Sequence, residues 1–277
     1  MIPALHPAAS APAPKIPARL IAHRVFDDGA PLGAASVADL DRFDGIELDI
    51  RCGEDGEPHI EHAPVFRLRS RRKRVPQRFD AALEFLSART PELRTVLLDL
   101  KSAAAADGVG RLLARNPPPF ETVFNCWHAA DVAALRRRLP SARVLFAVAP
   151  IFARRAPRGR LRDLYLCNSY PFLHHRRGYR PPEGKANGHG INVKLISTRR
   201  LSAFLPPAVD GLCVHRLFCN ADLLDFARAR GLGLAVYGLD PDKPERIARV
   251  AAFADYAIVS RPRKRRLRLA PPQAMAA

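Results

Sequence analysis

The chain has 277 residues, 48% of them hydrophobic and 26% charged, and its 45 Lys and Arg outnumber 27 Asp and Glu to give a formal charge of +18. That is enough apolar sequence to bury one large core or two small ones, which excludes intrinsic disorder and collagen-like structure. No apolar run approaches the roughly 18 to 20 residues of a membrane-spanning helix.

Residues 1–17 are rich in Ala and Pro, with prolines where a secretory leader needs a continuous apolar stretch, and read as a flexible arm on a cytoplasmic protein. Then ARLIAH (18–23) and GIELDI (45–50) read as strands, followed by a helical pattern in FDAALEFLSA with Phe79, Leu83 and Leu86 on one face. TVLLDLK (95–101), TVFNCW (122–127) and RVLFAV (143–148) are three further strands, with the helix AADVAALRRRL between the last two. The rhythm breaks over 150–205, where LYLCNS, the Pro/Gly/His/Arg-rich HHRRGYRPPEGKANGHG and INVKLISTRRLSAFL suggest an insertion or lid. It resumes with DGLCVH (210–215), ADLLDFARARG, GLAVYGL (233–239), KPERIARVAAFA and DYAIVS (255–260), before a basic and then Pro/Ala-rich tail over 263–277. Strands alternating with helices in this number predict an α/β fold, a (βα)8 TIM barrel over 18–262 with an insertion between the fifth and sixth strands. An open doubly wound sheet is the fallback, and it lacks a Gly-rich phosphate fingerprint.

The five cysteines, Cys52, Cys126, Cys167, Cys213 and Cys219, are odd in number, widely spaced and mostly set in apolar runs, as expected of buried thiols in a reducing compartment. Positive charge clusters at Arg67–Arg74, Arg136–Arg138, Arg154–Arg162, His174–Arg180 and Arg261–Arg268, which favours phosphodiesters, acidic lipid headgroups or nucleic acid as partners. An Arg-biased composition alone is the alternative source of that charge. With 7% aromatic residues and no nucleic-acid-binding signature, a dedicated DNA or RNA binder is not expected.

Strand side chains alternate, so in GIELDIR the apolar Ile46, Leu48 and Ile50 share one face while Glu47, Asp49 and Arg51 share the other. In VLLDLK, Asp99 and Lys101 likewise oppose Val96, Leu98 and Leu100. Such alternation also arises on an edge strand with one solvated face. In a βα pattern both faces are covered, and His23 and Arg24 end the first apolar run as well. Charges facing a barrel lumen are costly unless paired or bound to a cation. Polar groups at the C-terminal ends of barrel strands converge on one mouth. Trp127 and His128, at the end of the fourth strand, are placed to line it, a core position being the alternative for Trp127.

These residues resemble the glycerophosphodiester phosphodiesterase family of TIM barrels. Its Ala-His-Arg-Gly opening is matched by Ala22, His23 and Arg24. Its Gly-x-x-Glu-x-Asp block with a following Asp-Gly-x-Pro-x-x-x-His is matched by Glu47, Asp49, Asp55, Gly56, Pro58 and His62. The third-strand Glu-x-Lys is present as Asp99 and Lys101, and the closing Asp-Gly-Ile-x-Thr-Asp-x-Pro resembles Asp255 to Pro262. The likeness is strong over about 20–101, weak over about 205–262 and silent between. Val25 replaces the family's Gly, Ala63 replaces the Asp after the second His, Asp99 shortens a Glu, and DDGAPLGAAS lacks the family's Glu-Asn-Thr.

The resemblance implies metal-dependent hydrolysis of a phosphodiester. Glu47, Asp49 and Asp99 would hold one divalent cation, and a set made wholly of carboxylates suits Mg²⁺ or Ca²⁺. His23 and His62 would form the acid/base pair, and Arg24 and Lys101 would contact the phosphate. Asp55, Gly56 and Pro58 read as turn formers. The implied substrates are glycerophosphodiesters, releasing glycerol 3-phosphate or a related phosphomonoester, with lysophospholipids a variant and an anionic membrane surface a further partner. A catalytically silent barrel binding phosphate or acidic surfaces is the alternative from a different class.

Overall fold

The computed structural model describes residues 18–26, 40, 42–62, 77–88, 93–148, 198–216, 219 and 221–260. The expected arm at 1–17, the tail at 263–277, most of the 150–205 insertion, Ala63, Cys167 and the basic clusters other than Arg136–Arg138 lie outside them.

Eight parallel strands close a barrel: β1 (Arg19–His23), β2 (Gly45–Cys52), β5 (Thr95–Leu100), β6 (Glu121–Cys126), β7 (Arg143–Ala147), β8 (Gly211–His215), β9 (Gly233–Leu239) and β10 (Tyr256–Ser260). Each pairs with the next, and β1 pairs with both β10 and β2 to complete the ring. Helices α1 (Phe79–Ser87), α2 (Ala103–Arg115), α3 (Ala129–Arg138), α4 (Thr198–Phe204), α5 (Ala221–Ala229) and α6 (Pro244–Ala251) lie between strands. All eight strands predicted from the sequence are present, and the architecture is the expected TIM barrel. Among the described residues no helix is long and apolar enough to cross a membrane.

Alternation along the strands sorts the core into two layers. Ile46, Leu48, Ile50, Val96, Leu98, Phe124 and Val214 point outward and pack with helical residues such as Phe79, Leu86, Val109 and Leu135. Ile21, Leu97, Val123, Leu145, Cys213, Ala235, Tyr256 and Ile258 point inward and fill the lumen. Each fully buried large aliphatic or aromatic side chain contributes about 1.5–3 kcal/mol relative to exposure.

A polar ring closes the N-terminal end. Arg19 pairs with Glu121 and donates to Thr95 Oγ1 at 2.8 Å, while Tyr256 Oη donates to Glu121 at 3.2 Å and Arg143 lies 3.5 Å from the same carboxylate. Nearby, Asp210 accepts from the Val144 N–H at 2.7 Å and from Arg136 at 2.9 Å. Arg138 pairs with Asp107 at 3.0 Å, so two of the three arginines in the described basic cluster are neutralised within the protein.

Two short strands were not anticipated. β2 runs past the barrel, and its last residues pair antiparallel with β3 (Pro58–Ile60), which pairs with β4 (Gln77–Arg78). The connecting turn is built as expected of Asp55 and Gly56: the Glu57 N–H donates to Asp55 Oδ1 at 3.1 Å, and Gly56 has φ +77°. Cys126, Cys213 and Cys219 are buried and Cys52 half-buried, all as thiols rather than disulfides, in keeping with the thiol state read from the sequence.

Candidate active site

The adjacent strands β2 and β5 bring Glu47, Asp49 and Asp99 together, each buried, with ligand oxygens within 4.8 Å of one another. Neighbouring registers explain why: Asp49 is directly opposite Asp99, and both strands are covered on their outer faces by helices. The carboxylates therefore have only the lumen to occupy.

The turn after β1 folds over this cluster. Arg24 takes the left-handed conformation, φ +56°, which aims its N–H at Glu47 Oε2 at 2.7 Å. The Val25 N–H then donates to the Glu47 carbonyl at 3.1 Å. The strained positions in this turn are Arg24 and Phe26, and Val25 itself is fully buried. A valine is thus accommodated where the resembling family has glycine. A non-glycine residue in the left-handed region costs about 1–2 kcal/mol, and here the cost accompanies direct contact with a buried carboxylate.

Side chains of both signs interlock in the mouth. His23 Nε2 lies 3.7 Å from Glu47 Oε2, and Arg24 Nε lies 3.5 Å from Asp49 Oδ2. The Lys101 ammonium bridges Asp49 and Asp99. The other Asp99 oxygen accepts from Trp127 Nε1 at 2.6 Å and from Asn125 Nδ2 at 3.0 Å. Asp131 in turn accepts from the Trp127 and His128 backbone N–H groups at 3.2 and 3.0 Å, fixing the turn that presents the indole. His62 reaches the site because the Glu61 N–H donates to the Asp49 carbonyl at 3.0 Å. Its charge bears on both His23 and Asp49.

This crowding shifts the titrating groups in opposite senses. Burial, then the charges of Asp49 and Asp99, hold Glu47 well above the usual carboxylate range. Burial also raises Asp99, with Lys101 opposing. For Asp49 burial pushes upward, but the Lys101 charge and hydrogen bond, with His62 and Arg24, bring it below its ordinary value. Burial, aided by Arg24, lowers His23 to about 3, so its imidazole is neutral near pH 7.

The residues present fit a divalent cation. Two oxygens on one Ca²⁺ stand at most about 5 Å apart, twice a bond length, and the three carboxylates, within 4.8 Å of one another, meet that limit. Asp49 Oδ2 is buried and makes no hydrogen bond. Oxygen donors without thiolate or imidazole suit a hard ion.

The structure thus gathers His23, Arg24, Glu47, Asp49, His62, Asp99 and Lys101, the residues singled out from the sequence, at one mouth. Trp127 joins them, whereas His128 is exposed and starts α3. Sequence reading missed Asn125, His215 and Tyr237. Each follows an inward-facing residue by two positions, Val123, Cys213 and Ala235, so alternation was the signal available. The His215 and Tyr237 rings meet edge to face at 5.1 Å on adjacent strands. Burial, with Arg216, lowers His215 to about 4.

No family model matches this chain, and neither does any curated protein. Solved structures do. A phosphodiesterase from Oleispira antarctica, in complex with the product sn-glycerol-3-phosphate, superposes with a TM-score of 0.56 at 15% identity, covering 88% of this chain and 93% of that one. A glycerophosphodiester phosphodiesterase from Parabacteroides distasonis gives 0.54 at 14% identity, with 89% and 94% covered. One from Agrobacterium tumefaciens gives 0.51 at 15%, with 87% and 94% covered. At such identities the likeness is one of fold: the chain is a TIM barrel that shares its architecture, over most of its length, with these phosphodiesterases.

Proposed function

We propose that the protein is a phosphoric diester hydrolase that cleaves glycerophosphodiesters to glycerol 3-phosphate, or a related phosphomonoester, and an alcohol. The observation that carries this reading is the convergence of three buried carboxylates with two histidines and two cations at one barrel mouth. The likeness in fold to glycerophosphodiester phosphodiesterases, one of them holding sn-glycerol-3-phosphate, supports it.

In this reading Glu47, Asp49 and Asp99 hold one divalent cation, Mg²⁺ or Ca²⁺. When bound, that cation neutralises charge on the phosphoryl oxygens. The chain's own groups do the rest. Arg24 and Lys101 orient the phosphate, Arg24 through its fork and Lys101 as a point charge. His23 and His62 share proton transfer, one taking a proton from the attacking oxygen and the other supplying one to the leaving oxygen. Trp127 and Asn125 hold Asp99 in place through its second oxygen.

A catalytically silent barrel is the second reading, and one observation favours it. The Lys101 ammonium between Asp49 and Asp99 already supplies countercharge that a cation would provide. Release of phosphomonoester from a panel of glycerophosphodiesters and lysophospholipids, with Mg²⁺, Ca²⁺ or chelator, separates the two. Cation-dependent turnover supports the hydrolase and gives its headgroup range, including any interfacial lipid substrate. Absence of turnover across the panel, with the protein folded, supports the silent barrel.

A further inference from the structure

A second cleft opens at the same end of the barrel but outside its lumen. Arg216, Cys219, Leu239, Arg246, Arg249 and Val250 line it. Cys219, Leu239 and Val250 belong to the outer core layer between strands and helices, which sets the cleft apart from the inward-facing carboxylates. Arg216 immediately follows β8 and Leu239 ends β9, while Arg246 and Arg249, three residues apart, share a face of α6.

Three arginines therefore line one small space, and none of the described residues lining it is acidic. Arg216 is held in place rather than splayed into solvent, its Nε donating to the Gly238 carbonyl at 2.9 Å. Burial and then the like charge of Arg246 work against its protonated form, with Asp240 opposing. Arginines on a merely solvated face spread apart. Here one is anchored to the backbone, partly desolvated and close enough to Arg246 to feel its charge, in a cleft that Arg249 also lines beside the apolar Cys219, Leu239 and Val250, an arrangement that an oxyanion stabilises through charge-assisted hydrogen bonds.

We propose that this cleft binds a phosphate-class oxyanion, separate from the carboxylate cluster, with Arg216, Arg246 and Arg249 as its ligands. The anion is either a soluble phosphate group or the phosphomonoester headgroup of an anionic lipid, and the chemistry recognised is the same.

The test follows the Arg216 Nε–Hε resonance by NMR during titration with inorganic phosphate, at constant ionic strength and in chelator. The expected result is a saturable shift that chloride does not reproduce, retained in Glu47→Gln and weakened at least tenfold in the double variant Arg246→Gln/Arg249→Gln. Both substitutions lie on the surface of α6 and leave diester hydrolysis unchanged. Cosedimentation with phosphatidylcholine vesicles, with and without phosphatidic acid, identifies the source. Retention on the acidic vesicles that falls tenfold in the double variant assigns a lipid headgroup, and a phosphate shift without such retention assigns a soluble anion. The proposal is overturned if chloride shifts Arg216 equally, if neither probe engages it, or if phosphate binding is lost in Glu47→Gln and untouched in the double variant. That last outcome would place all anion binding at the barrel mouth without bearing on catalysis. Should the double variant fail to fold, the Arg216 resonance of the unmodified protein still decides.

Discussion

Glu47→Gln separates the cost of the carboxylate cluster from its use. Glutamine is isosteric and its carbonyl oxygen can still accept the Arg24 N–H that Glu47 Oε2 accepts at 2.7 Å. What changes is charge. Two unit charges about 4 to 5 Å apart repel by about 3–4 kcal/mol at an effective dielectric constant of 20, and Glu47 faces two such neighbours within 4.8 Å. Lys101 offsets part of this. In chelator, at a pH above the raised Glu47 value, the variant is therefore expected to be more stable than the unmodified protein by about 1–3 kcal/mol, the repulsion left after that offset.

With cation the order reverses in one respect. A ligand at 100 times its Kd stabilises a folded protein by about 2.7 kcal/mol, or about 5–10 °C in melting temperature for a domain of this size. The unmodified protein should gain that shift with Mg²⁺ or Ca²⁺, and Glu47→Gln should not. A pH series adds a signed check. The folded state holds the Glu47 proton more tightly than the unfolded chain, so stability in chelator declines as pH rises from the ordinary value of 4.5 through the raised folded one. The decline should be weaker in the variant. Thermal denaturation followed by circular dichroism reads all three. Destabilisation of Glu47→Gln by more than about 2 kcal/mol in chelator, or an undiminished cation shift, would refute the reasoning.

Trp127 is the only tryptophan, its Nε1 bonded to Asp99 and the Lys101 ammonium 5.4 Å from its ring centre. Its fluorescence should change saturably with added divalent cation and stay flat in Asp49→Asn. An unchanged titration in Asp49→Asn would remove that residue from the ligand set. Gly238 has φ +80°, and a Cβ there would stand 2.4 Å from His215 Nε2. Gly238→Ala should lose about 2–4 kcal/mol from left-handed strain and overpacking together; a loss under about 0.5 kcal/mol in chemical denaturation would contradict the packing described. Asp210→Ala, at the closed end, should cost about 1–3 kcal/mol by unpairing the Val144 N–H and Arg136. Its turnover per folded molecule should not move, and a fall would mean that the two ends of the barrel are coupled.

The strands were legible because each is a short aliphatic run whose polar residues fall at alternate positions. Glu47, Asp49 and Asp99 could be placed on one side of their strands by counting alone, and the closed sheet then had to bring them together. Other parts depend on contacts that no local pattern carries. Helix α2 contains Gly108 and Gly110, which look like breaks in sequence. Gly110 is needed because a Cβ there would lie 2.7 Å from Cβ of Arg138 on α3. β3 and β4 are three and two residues long, too short for any periodicity to show. The left-handed Arg24 is imposed by Glu47 across 23 residues of chain. Lys101 was expected at a phosphate; its place between Asp49 and Asp99 follows from adjacent strands meeting in register, which only the assembled barrel displays.

The measurement that bears most directly on the proposed activity is release of glycerol 3-phosphate from a glycerophosphodiester by the unmodified protein, His23→Ala and His62→Ala, each with divalent cation and with chelator. The account predicts cation-dependent release by the unmodified protein. Each histidine variant should lose about 10²–10⁴-fold, the usual contribution of a positioned acid or base, while keeping its melting profile. Release that persists in both variants or in chelator would contradict it.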